Sequence, residues 1–211
     1  MRNIHRNKGE CIMNNIKTPI ELQLAEAAHY TPRTQLTWSK IALLYPIVQA
    51  NGKNGCRVYY KDGSYDDVAN SCMVPLKALA RQHYTTVDNA RALTRSCPWM
   101  KRQRMLNMIF SNVCTVVPLI VRESTADSDD RMGYLVKQYL YNTAPLPDGT
   151  LLKFSADHEG IRIVQKEPTV RRQLMEAELL EQHYKALLAE QRRLRQEQET
   201  AGHTNQIGRY R

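Results

Sequence analysis

No apolar run in the 211 residues approaches the roughly 18 needed to cross a bilayer; the longest, Ile41 to Val48, is broken by a proline and a tyrosine. The basic N-terminus lacks the apolar core of a signal peptide. Membrane insertion and secretion are therefore disfavoured, and a cytoplasmic location is expected. Cysteine is sparse. Cys11, Cys56, Cys72, Cys97 and Cys114 are odd in number, and no pair has the spacing of a zinc knuckle or a redox motif. They read as reduced, mostly buried thiols. The six histidines (His5, His29, His83, His158, His183, His203) are scattered, and neither a phosphate-cradling glycine loop nor a nucleophile elbow is present. The run Asp127-Ser128-Asp129-Asp130 starts like a calcium loop, but Met132 and Gln138 stand where that loop needs glycine and glutamate. Catalysis is disfavoured, and neither a metal nor a cofactor is expected.

What remains is an ordinary globular composition, 42% hydrophobic and 24% charged, long enough for one domain plus an extension. The net charge of +9 is unevenly placed. Residues 77–104 carry Lys77, Arg81, Arg91, Arg95, Lys101, Arg102 and Arg104 against the single acid Asp88. Such density is the electrostatic footprint of a polyanion partner. An anionic membrane surface fits less well, because the segment lacks a broad Leu/Phe/Trp face.

Along the chain, residues 1–40 read as a mobile arm and a short helix, with Thr18-Pro19 opening it and Thr31-Pro32 ending it. Ile41 to Val48 reads as a buried strand, Cys56 to Tyr60 as another, and Asp62-Gly63 as a hairpin turn. Leu76, Leu79, Ala80 and His83, then Val87, Ala90 and Leu93, keep helical spacing, with Thr86 as a cap and Pro98 as a stop. A further helical stretch is expected over Lys101 to Phe110. Val113 to Val121 is β-rich, with Pro118 implying an edge or a bulge. Ser124 to Asp130 reads as an acidic loop, Gly133 to Tyr141 as a strand, and Pro145 to Gly149 as a loop. Leu151 to Phe154 and Ile161 to Val164 flank a hairpin turn. Pro168-Thr169 opens a long helix whose positions 170, 174, 177, 180, 184, 187 and 194 keep a 4-3 rhythm. That helix either dimerises as a coiled coil or lies on its own domain. The predicted class is α+β: antiparallel strands over 41–168 with a central basic helical segment, and an amphipathic helix and tail over 169–211.

The stretch Leu76 to Arg95 fits a helix-turn-helix template, with small Ala80 in the first helix and Ala90 and Leu93 facing back onto it. Tyr84 sits where the turn usually wants glycine, a costly substitution if φ is positive there. Helix pairs of this kind also occur in structural cores; the adjoining charge favours nucleic-acid contact.

In its order of features the chain resembles the competence transcription factor (ComK-like) family of Gram-positive bacteria, over roughly residues 41–180. Ser71-Cys72 precedes Tyr84 to Arg91, in which Thr85-Thr86 match the family's serine pair and Arg91 falls among its basic residues. Val117-Pro118-Leu119-Ile120-Val121 resembles its proline strand, and Gly133-Tyr134-Leu135-Val136 its aromatic strand. Leu151 to Val164 resembles its hairpin, and Gln173 to Leu180 the start of its terminal helix. Tyr84 and Asn89 stand where that family has glycine. The resemblance implies a cytoplasmic activator of competence genes, binding AT-rich promoter boxes on double-stranded DNA as an oligomer, largely from the minor groove. It also implies turnover through a protease adaptor. Independently of it, Arg81, Thr85, Thr86, Asn89, Arg91, Arg95, Lys101, Arg102 and Arg104 form a candidate DNA-contacting set: arginine suits phosphates or guanine edges, and asparagine suits adenine. Major- and minor-groove reading both stay open, as do an RNA-binding protein and an interaction protein working through the terminal helix.

Overall fold

In the computed structural model of the chain, Ile41–Val48 form strand β1, and both of its faces are buried. That is why the segment reads as an almost unbroken apolar run rather than as an alternation. The residues described are 31–49, 51–100, 105–123, 130–157 and 159–207, with side chains as far as Gln198; the expected arm and short helix lie outside them. β2 (Asn54–Tyr60) returns antiparallel to β1, and β3 (Tyr65–Val68) follows across the Asp62-Gly63 turn. Gly63 takes φ 85° there, a conformation that a β-carbon disfavours. β4 (Met108–Ser111), β5 (Cys114–Ile120) and β6 (Met132–Val136) complete a six-stranded antiparallel sheet in the order β3-β2-β1-β6-β5-β4. A second antiparallel sheet holds β7 (Asn142–Leu146), β8 (Gly149–Lys153) and β9 (Ile161–Ile163).

Each face of the large sheet carries its own core. Leu44, Val58, Val116, Tyr134 and Val136 pack against Leu76, Leu79 and Ala80 of α1 (Met73–Gln82) and Val87 and Ala90 of α2 (Val87–Ser96). On the other face, Leu43, Ile47, Val117, Leu119 and Leu135 meet Leu152 and Ile163 of the small sheet. Val170 and Ala177 of α3 (Glu167–Ile207) join them. A fully buried aliphatic side chain contributes about 1.5–3 kcal/mol. A solvent-exposed ion pair gives at most about 1. The two cores, not the surface charges, hold this fold. The architecture is α+β, with antiparallel sheets and a long C-terminal helix.

Three local expectations need correction. Helix was expected over Lys101 to Phe110, but Met108–Ser111 is a strand. Met108 and Phe110 enter the core beneath α1 and α2, while Ile109 points the other way, against Cys97 and Leu180; a period of two wins over a period of 3.6. The strand expected over Gly133 to Tyr141 stops at Val136, where the chain turns through a 3-10 turn, Lys137–Tyr139. Lys137 leaves the sheet to pair with Glu178 and Glu181 of α3 at 2.5 and 2.9 Å. Finally, Pro145 lies in a strand, not a loop; β7 is an edge strand, where a missing N–H breaks no ladder.

Pro118 illustrates the edge rule inside a sheet. β5 lies between β4 and β6, yet its pairing with β4 ends at Val116, so among the described residues no strand lies beside the outer side of Pro118 to Ile120. Two buried glutamines take its place. Gln173 Nε2 donates to the Pro118 carbonyl (3.2 Å), and the Ile120 N–H donates to Gln165 Oε1 (2.7 Å).

The 4-3 stripe of α3 divides in two. Val170, Ala177 and Leu180 are buried, with Leu174 and Tyr184 half-buried against the same domain, whereas Leu194 is exposed. The first half of the helix is laid on its own domain, and residues 189–198 stand clear of it. Among the described residues no helix is long and apolar enough to cross a membrane.

Candidate nucleic-acid interface

The turn between α1 and α2 is fixed by backbone groups. The Thr85 N–H donates to the Ala80 carbonyl (3.1 Å) and the Tyr84 N–H to that of Arg81 (3.0 Å), the paired bonds that end a helix through one left-handed residue. That residue is Tyr84, with φ 56° and a fully exposed side chain. Thr86 then caps α2: its Oγ1 accepts from the Asn89 N–H at 3.1 Å. Left-handed backbone costs a side-chain-bearing residue about 1–2 kcal/mol, and glycine's added chain entropy takes back about 0.5–1. Tyr84→Gly therefore nets about 0–1.5 kcal/mol in favour of the fold, a rise in melting temperature of up to about 6 °C. A thermal melt showing a fall would contradict the assignment of strain.

Burial then decides which side chains each helix presents. Leu76, Leu79 and Ala80, with Val87, Ala90 and Thr94, turn inward. Lys77, Arg81 and Gln82 of α1 are exposed, as are Asp88, Asn89, Ala92, Arg95 and Ser96 of α2. Arg91 is half-buried. One helical turn apart, Arg91 and Arg95 line the same cleft of about 100 Å³, over Met105, Met108, Pro118, Met132 and Tyr134. Burial pushes the Tyr134 hydroxyl up to about 12, and the positive charge of Arg91 works in the opposite direction.

Several cations outside this segment are held by carboxylates. Arg57 is held by Asp67 at 2.7 Å, Arg162 pairs with Asp148, and Arg171 with Glu167. Among the described residues, Lys77, Arg81, Arg91 and Arg95 have no carboxylate within 4.0 Å. Four positive charges with no carboxylate partner among the described residues, on helices already held by their apolar faces, are available to external anions.

Of the candidate set, the structure brings Arg91 and Arg95 together, and it places Arg81 at the end of α1 and Asn89 in the first turn of α2. Thr85 is half-buried in the turn, and the Thr86 oxygen serves as the helix cap. Lys101, Arg102 and Arg104 lie outside the described residues, as do 124–129 of the expected acidic loop. His83 Nδ1 lies 3.0 Å from Ser111 Oγ in β4, and burial lowers its pKa, so the neutral ring is favoured in this bridge between helix and sheet.

Sequence reading missed the floor of the cleft and what stands behind it. The Thr94 hydroxyl lies 2.6 Å from the Asn107 carbonyl, and Asn107 Nδ2 donates to the Gln173 carbonyl at 3.0 Å. All three residues are buried. A polar chain thus runs from the basic helix to the terminal helix. The residues sit in three separate segments, and no spacing rule connects them. Comparison of the chain with protein-family models, curated proteins and solved structures finds no match.

Proposed function

We propose that this chain is a sequence-specific DNA-binding transcriptional regulator that meets duplex DNA through α1, the Tyr84 turn and α2. One observation carries the reading: Lys77, Arg81, Arg91 and Arg95 cluster on a helix pair joined by a tight left-handed turn, with no carboxylate within 4.0 Å of them among the described residues. Arg91 and Arg95 hold phosphates at the mouth of their cleft, Arg81 adds a third contact across the turn, and Asn89 is available to a base edge. The resemblance to the competence factor family extends this reading to an activator acting in the cytoplasm on AT-rich promoter sites. The exposed distal part of α3 supports a second element, self-association, since Leu194 continues the apolar stripe past its last contact with the domain.

The test is equilibrium binding to AT-rich and GC-rich duplexes of equal length at 50 and 200 mM salt. Three phosphate contacts cost about 40-fold in affinity between those salts, and the AT-rich duplex is expected to bind more tightly. No binding to either duplex at 50 mM salt would remove the proposal. Tighter binding to an RNA of the same length would replace it with an RNA-binding reading.

A further inference from the structure

We propose that Cys56 and Cys72 are a disulfide-forming pair, oxidised by a hydroperoxide, and that the bond staples α1 to the large sheet. Cys56 lies in β2, opposite Val68 of β3, and Cys72 is the residue that precedes α1. Both side chains are fully buried, and their sulfurs are 2.9 Å apart. A covalent S–S bond is about 2.05 Å long, so closure by about 0.9 Å completes it.

The spacing argues against the other use of paired thiols. Two thiolates on one tetrahedral zinc ion, each about 2.3 Å from the metal, stand roughly 3.8 Å apart. Among the described residues no group of three His, Cys, Asp or Glu side chains could complete a metal site. Cys97 and Cys114 are also buried, but among the described residues neither has a second sulfur as a hydrogen-bond partner. The sequence hides this pair: the two cysteines are sixteen positions apart, and only the return of the chain from β3 into α1 brings them together.

In the reaction, the thiolate of one cysteine attacks an oxygen of hydrogen peroxide. The O–O bond breaks and leaves a sulfenic acid and, after protonation, water. The second thiol attacks the sulfenic sulfur and expels a second water. Two thiols lose two protons and two electrons, and one peroxide takes them up to become two waters. Burial makes the first attack wait for an opening at the start of α1, where Ser71, Met73 and Val74 are only half-buried. Once formed, the bond is shielded from reductants by the same burial. The staple closes a short loop and holds the helix that carries Lys77 and Arg81; it stands independently of the nucleic-acid reading.

The experiment treats the reduced full chain with hydrogen peroxide, alkylates remaining thiols after denaturation, and maps peptides by mass spectrometry alongside a thermal melt. A linked Cys56–Cys72 peptide is expected, with a melting temperature about 6–12 °C higher that dithiothreitol reverses. Cys72→Ala is expected to lose both effects of peroxide. If that variant does not fold, the wild-type peptide map decides alone. Alkylation of both cysteines after peroxide treatment, over-oxidation without a link, or a link to Cys11, Cys97 or Cys114 instead would overturn the proposal.

Discussion

Replacing Arg91 and Arg95 together with alanine is expected to weaken duplex binding about 60-fold at 0.1 M salt, with the fold intact. The magnitude follows from counterion release: each phosphate contact steepens the dependence of log K on log salt by about 0.9, so each adds roughly a factor of eight at 0.1 M relative to 1 M. Two lost contacts therefore lower the slope by about 1.8. The fold is expected to survive because α2 is anchored by Val87, Ala90 and Thr94 on its inner face, not by the arginines. The stem of half-buried Arg91 covers part of the cleft above Tyr134, so a small stability loss accompanies its truncation. The Arg→Lys pair separates two roles. Lysine keeps a point charge on a phosphate but cannot form the bidentate fork to a guanine edge. Near-full affinity in R91K/R95K assigns phosphate contact, whereas loss of sequence preference assigns base contact. Unchanged binding in the double alanine variant, by titration at two salts, would remove α2 from the interface.

The second large effect is expected from Gln173→Leu, far from any proposed contact. This side chain donates to the Pro118 carbonyl on the open side of β5 and accepts from Gln165 Nε2, all in buried surroundings. Leucine has similar volume but leaves an acceptor and a donor without partners, each costing about 1–3 kcal/mol. The sum, about 2–6 kcal/mol, corresponds to a fall in melting temperature of about 4–24 °C for a domain of this size. Met175→Ala, exposed on the next face of the same helix, is the control and is expected to stay within about 0.5 kcal/mol. Urea or thermal unfolding checks both; a loss below 1 kcal/mol in Gln173→Leu would mean that the glutamine does not seal the edge of β5. Because the Gln173 carbonyl also receives Asn107, which receives Thr94 of α2, a fall in DNA affinity beyond the unfolded fraction would show the terminal helix acting on the basic one.

Much of the local structure was legible in advance because it depends on neighbours in the chain. Leu76, Leu79 and Ala80 stay three and four residues apart whatever surrounds them, and the Thr86 oxygen has only to reach the N–H three residues on. Tyr84 was legible as a conflict, a bulky residue at a turn position that wants glycine, and the backbone holds it there at φ 56°. Met108 to Phe110 was misread because a short apolar run carries no period of its own; the sides taken by Met108 and Ile109 come from β5 and α2, which sequence spacing does not supply. Pro145 was misread because its tolerance in a strand depends on that strand being an edge.

Composition and spacing alone thus determined the α+β class, the helix pair and the clustering of positive charge between Lys77 and Arg104, since each depends on residue type within a few turns of chain. Only the tertiary structure decided that Arg91 and Arg95 share a cleft, that Gln173 closes the side of β5 and that Cys56 faces Cys72. Those contacts join residues brought together by sheet order and chain reversal, and their energies arise from burial, which no single segment of sequence possesses until the others have packed against it.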